Sequence, residues 1–253
     1  MHAAAFLDHR GMRRRASRRR ACGAATVFGV GGTAVTSVHV AFTLLGVGAM
    51  NSPRYQPAGL LVEHAGSRLL FDGGGETAAA VSLPVRWLVT DERAELMPRL
   101  RRQARSVGVA IGVSTAALGA ISVVPRTVLH TSHQTYGYLI SGPGMVAVWA
   151  PEFWQFPDWA AGADLLFADA AGWRSPIRFR GGVGGHAAAL AVAGQAREAG
   201  VRRLVFAHLG RPTIRAIDAG QRPPFGEFGH DGQRFDLQLT AGADGPPGPP
   251  QPP

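Results

Sequence analysis

Residues 128–154 read VLHTSHQTYGYLISGPGMVAVWAPEFW, and the way this stretch folds decides the rest. Thr135 to Ile140 and Met145 to Ala150 are runs of aromatic, branched and small apolar residues. Gly142-Pro143-Gly144 between them is a turn, because glycine and proline punctuate strands. The spacing predicts a β-hairpin. In an antiparallel pair the start of one strand lies beside the end of the next, so His130 and His133, just before the first strand, meet Glu152, just after the second. Imidazole and carboxylate gathered at a sheet edge are the material of a metal or acid/base site, and equally of an ordinary surface hairpin.

Upstream, Val38 onward alternates into an apolar strand that ends in Gly46-Val47-Gly48. A strand and a glycine loop suggest a dinucleotide fingerprint, but Asn51-Ser52-Pro53 stands where the phosphate-binding helix would start. The following stretch is instead a hairpin, with strands Leu60 to Glu63 and Arg68 to Phe71 around a His64 to Ser67 turn. Val85 to Thr90 reads as a short strand, followed by a helix that begins near Pro98 and buries Leu96, Leu100 and Ala104. Val107 to Val113 and Ile121 to Val124 read as strands. Downstream, Ala163 to Ala168 and Val201 to Ala207 are nearly continuous apolar runs of the kind covered on both faces. Between them a glycine-rich loop, Arg180 to Gly185, leads to a helix expected from about His186 to Ala199.

Composition bounds the function. All 26 basic residues are arginines, and residues 1–36 hold seven of them against Asp8, so most of the net charge of +9 sits in that segment and the remainder is only mildly basic. The arginine run lacks interleaved aromatics on which bases would stack, leaving a nucleic-acid partner as the weaker reading. Cys22 is the sole cysteine, which excludes an internal disulfide and a cysteine-based zinc site. No apolar run reaches the roughly 18 residues of a membrane span. Residues 1–36 read as a disordered extension of a cytoplasmic protein, or as a twin-arginine-like export signal followed by a mild apolar stretch. Residues 37–240 form one folded domain, and 241–253 are a Pro/Gly tail with no means of packing.

Several segments in order carry a resemblance: LLGVGAMNSPRYQPAGLLVEHAGSRLLFDGGGE, TYGYLI, AVWAPEF, GADLLFADA and GGHAAALAVAGQAREAGVRRLVFAH. Together they resemble the metallo-β-lactamase fold superfamily, in its branch of ribonuclease Z and the cyclic phosphodiesterases. The resemblance implies an α/β fold, a four-layer αββα sandwich of two mixed β-sheets flanked by helices. It implies that His130 or His133 is the isolated metal-binding histidine, that Glu152 takes the place of the aspartate bridging two metals, that His208 is the last histidine ligand, and that His186 opens a helix near the site.

The signature HxHxDH, expected after the WLVT strand, is absent. Asp91 takes the first histidine position, Arg93 the second, Glu95 the aspartate and Leu96 the last histidine. Two readings follow. In one, Asp91, Glu95 and His186 serve catalysis beside a carboxylate-rich site of His130, His133, Glu152 and His208. Its divalent metal would be manganese, iron or zinc, a single ion or none, and it would hydrolyse a small-molecule or nucleotide-like phosphodiester. In the other, a non-catalytic relative binds a ligand or partner, and Arg93 fills the metal's place, paired with Glu95 or Glu152. Substrate and oligomeric state stay open.

Overall fold

A computed structural model of the chain describes residues 38–50, 52–75, 84 and 86–240. The expectations for 1–36 and for the tail from 241 lie outside the described residues. In chain order the elements are β1 (Val38–Gly46), β2 (Gly59–His64), β3 (Ser67–Asp72), β4 (Arg86–Leu88), α1 (Met97–Ser106), β5 (Ile111–Gly112), β6 (Ala116–Leu118), β7 (Ile121–Val128), β8 (Thr135–Gly142) and β9 (Met145–Ala150). There follow β10 (Leu165–Ala170), β11 (Ile177–Arg178), β12 (Gly185–His186), α2 (Ala189–Glu198), β13 (Leu204–Leu209), α3 (Arg211–Asp218), β14 (Glu227–Phe228) and β15 (Arg234–Leu239).

Two mixed sheets result, one ordered β15-β1-β2-β3-β4-β5 and the other β14-β13-β10-β9-β8-β7-β6. Their apolar faces meet: Phe42 of β1 lies 6.2 Å from Phe167 of β10, and Phe71 of β3 sits edge-on to Tyr138 of β8 at 5.2 Å. The outer face of the first sheet buries Leu61, Leu70 and Trp87 against Met97, Leu100 and Ala104 of α1. The second sheet packs β10 and β13 under α2, which buries Ala189, Val192, Ala193 and Ala196. Helix, sheet, sheet and helix make the four layers expected. All six residues of β10 and of β13 are buried, as a parallel strand between a sheet and a helix requires.

The turns follow from residue type. At the β2–β3 turn Ala65 and Gly66 both take positive φ, 47° and 77°, the two-residue geometry that matches strand twist. The β8–β9 hairpin pairs Gly142 with Met145 around Pro143-Gly144. Helix α1 carries its proline in the first turn, where a missing N–H costs nothing.

Two expectations need correction, and one element was missed. The strand read over Val107 to Val113 shrinks to Ile111–Gly112, because Val107 and Val109 still bond carbonyls of α1. The helix expected from His186 starts at Ala189, since His186 is paired with Ile177 in β12. Helix α3 was not anticipated, although Gly210 followed by Pro212 marks a helix start.

The two sheets are also fastened by polar groups. Asp72, at the end of β3 with φ 51°, accepts from Trp149 Nε1 of the opposite sheet at 2.7 Å, from Thr90 N at 2.7 Å and from Thr90 Oγ1 at 2.9 Å. The Tyr136 N–H reaches the Thr90 carbonyl at 2.9 Å, and the Tyr138 hydroxyl donates to the Val89 carbonyl at 2.9 Å.

Candidate functional site

Strands β9, β10 and β13 run parallel, so residues at their C-terminal ends emerge along one edge of the second sheet, where open α/β sheets gather their ligands. Glu152 follows β9, Asp169 lies near the end of β10, and His208 near the end of β13. A bulge between Ala168 and Asp169 sets Asp169 opposite His208 and skips Ala207, re-aiming side chains as bulges beside sites do. His130 precedes β8 and is held by backbone bonds: Trp154 N–H to the Leu129 carbonyl at 2.6 Å and Gly185 N–H to the His130 carbonyl at 2.9 Å. A Cβ on Gly184 would strike that carbonyl, so the glycine-rich loop can pass His130 only as glycine.

Glu152 stands between two imidazoles. His208 Nε2 is 3.3 Å from its Oε1, and His130 Nε2 is 3.6 Å from its Oε2. His130 donates Nδ1–H to the Gly185 carbonyl at 2.8 Å, which fixes its ring. His186 donates Nδ1–H to Asp169 Oδ2 at 2.8 Å, stacks on His208 at 5.0 Å and tilts against His130 at 4.7 Å. Phe179 closes edge-on over His130 and His186. The buried Asp169 also accepts from Phe153 N at 3.0 Å and Ala171 N at 2.8 Å, as a carboxylate removed from water must.

These contacts set the charges. Burial pushes the Asp169 carboxyl up, but the charge and hydrogen bond of His186 outweigh it and hold the carboxyl below its ordinary range. Burial pulls His186 down, yet Asp169 and then Glu152 carry it up to about 9. Glu152, raised by burial and lowered more by His208, His130 and His186, ends below its ordinary value. His208 is lowered, chiefly by burial, against the pull of Glu152. At neutral pH the centre therefore holds two carboxylates, an imidazolium at His186 and a neutral His208.

The other expected residues lie elsewhere. His133 Nε2 binds both oxygens of Asp91, at 2.9 and 3.0 Å, and the pair borders a depression with Glu92 and Arg93. Of the two histidines left open by the sequence, His130 reaches Glu152. Glu95 is exposed and is not brought to the cluster. Arg93 is also exposed, so the expectation that it fills a metal's place is corrected. Asp169 was missed, although an acid inside the buried run LLFADA signals a partner across the strand.

The donors present do not fit the divalent-metal centre implied by the resemblance. Among the described residues no three His, Cys, Asp or Glu side chains are placed to hold a metal ion. His208 Nδ1 has no hydrogen-bond partner among the described residues, whereas a metal-bound imidazole almost always donates its second nitrogen.

Solved structures similar to this chain share its architecture. The metallo-beta-lactamase fold protein YhfI from Bacillus subtilis aligns at 15% identity and TM-score 0.62, over 79% of this chain and 100% of that one. A diphosphatase from the PhnP family aligns at 18% identity and TM-score 0.57, over 79% and 98%. The Zn(2+)-bound PqqB from Methylobacterium extorquens aligns at 16% identity and TM-score 0.55, over 78% and 100%. No protein-family model matches the sequence, and no curated protein matches it. The fold is the metallo-β-lactamase fold.

Proposed function

We propose that this chain, built on the metallo-β-lactamase fold, is a hydrolase that works by proton transfer in the cluster of His130, Glu152, Asp169, His186 and His208. The observation that carries the reading is the geometry at one edge: Glu152 flanked by the imidazoles of His130 and His208 at 3.6 and 3.3 Å, beside His186 bonded to buried Asp169 at 2.8 Å. Groups whose environments push their proton affinities apart divide naturally into base and acid. Glu152 accepts a proton from water as the water oxygen attacks the electrophile. His186 gives its Nε2 proton to the departing oxygen, while Asp169 holds the ring and stabilises its charge. His130 and His208 flank the Glu152 carboxylate. The electrophile is a phosphodiester, as the resemblance implied, or an acyl carbon.

Assays of bis(p-nitrophenyl) phosphate and p-nitrophenyl butyrate in the presence of EDTA, with elemental analysis of the purified chain, test this. Turnover is expected to persist in EDTA and to fall about 100-fold in Glu152→Gln and in His186→Asn. Stoichiometric manganese, iron or zinc with turnover lost to EDTA would replace it with a metal-dependent mechanism. Ligand binding without turnover would favour the non-catalytic reading, to which the apolar lining by Leu96 and Met97 points.

A further inference from the structure

The cleft beside Glu152 and His208, lined also by Met97 and Leu100 of α1, belongs to the cluster described above. A groove of about 620 Å³ shares no residue with it, and its size is that of small-molecule sites. It forms where the segment after β9 meets the C-terminal end of α2. Trp154, Gln155, Phe156 and Asp158 come from that segment, Gln195 and Glu198 from the helix.

The charge of this groove sets it apart. Among the described residues the side chains of three acids, Glu95, Asp158 and Glu198, take no hydrogen bond or ion pair, and two of the three line the groove. Elsewhere in this arginine-rich chain acids pair with arginine, as Asp218 does with Arg54, Asp164 with Arg202 and Glu227 with Arg203. No arginine lines the groove among the described residues. Glu198 lies in the last turn of α2, where the negative end of the helix dipole disfavours an anion. A bound cation would relieve both carboxylates.

The aromatic residues select the kind of cation. Trp154 already attracts one, since the Arg178 guanidinium lies over its ring at 5.5 Å from the centroid. Trp154 and Phe156 are half-buried, and their apolar surface suits a hydrocarbon chain better than the water shell of a metal ion. Nor are three His, Cys, Asp or Glu side chains placed to hold a metal anywhere among the described residues. We infer that this groove binds a small organic ammonium ion, its charged head at Asp158 and Glu198 and its alkyl part on Trp154 and Phe156. The assignment is independent of the hydrolytic reading, because none of the residues named there lines the groove.

The test titrates butylammonium chloride into the isotope-labelled full chain and follows the Trp154 indole N–H by NMR. The expected result is a saturable shift, with affinity about tenfold weaker when Asp158→Asn and Glu198→Gln are combined. Both acids are exposed, so the paired variant keeps the fold. Sodium chloride at equal concentration, and butanol, which has the chain without the charge, should give no saturable shift. Saturation by butanol with equal affinity would show an apolar depression that makes no use of charge. Unchanged affinity in the paired variant would detach the acids from binding, and no saturation by butylammonium would leave the groove without this ligand. Each of these three outcomes overturns the assignment.

Discussion

Asp169 shows what one buried charge sets in motion. It has no water to solvate it, so it holds a proton on His186, and that proton is what makes His186 an acid beside Glu152. Because the folded affinity of His186 lies near 9 and the unfolded one near 6.5, the pair contributes stability in full below about pH 6.5, and the contribution is lost as pH rises through about 9. Urea denaturation from pH 6 to 10 should therefore show a decline that disappears in Asp169→Asn. The His186 imidazole, followed by NMR, should titrate near 9 in the native chain and lower in that variant. A His186 titration unmoved by Asp169→Asn would sink the assignment. Single residues were the hardest part to read in the sequence. His130, Glu152, His186 and His208 sit at strand ends, where position alone suggests a site. Asp169 sits inside an apolar run, and only the cost of burying a carboxylate betrays it. His133 shares the neighbourhood of His130, and no spacing rule reveals that Asp91 has captured it.

At the scale of elements, sequence and structure agree where a period or a turn residue is strong. The β8–β9 hairpin, the β2–β3 hairpin, the two covered strands and the start of α1 at Pro98 are legible because glycine, proline and continuous burial leave few alternatives. Short elements are not. Helix α3 spans only eight residues, and β5 exists because β4 offers it an edge, which is a tertiary fact. Helix α1 is tied to the site as well as to the core. Met97 and Leu100 are buried against Leu61, Leu70 and Trp87 while lining the cleft. Leu100→Ala should cost about 2–4 kcal/mol in urea denaturation.

The molecule as a whole joins its two sheets by a polar clasp in an otherwise apolar seam. Its fold was legible because weak segments fell in the right order, each insufficient by itself. Its chemistry was less so, because the resemblance implied a metal centre, while among the described residues no three His, Cys, Asp or Glu side chains are placed to hold a metal ion. The clasp itself has an optical consequence. Burial pushes Asp72 up to about 7, against the donors from Trp149 and Thr90, so its charge changes within the physiological range while the Trp149 indole N–H points straight at it. Trp149 is fully buried, and its fluorescence should shift with a midpoint near pH 7, a signal that Asp72→Asn abolishes and Trp149→Phe removes. Above that midpoint the burial of the Asp72 charge, only partly offset by Trp149 and Thr90, counts against stability, and the penalty fades as pH falls from about 7 toward 3.8. The seam between the sheets thus carries its own reporter, readable without label or substrate.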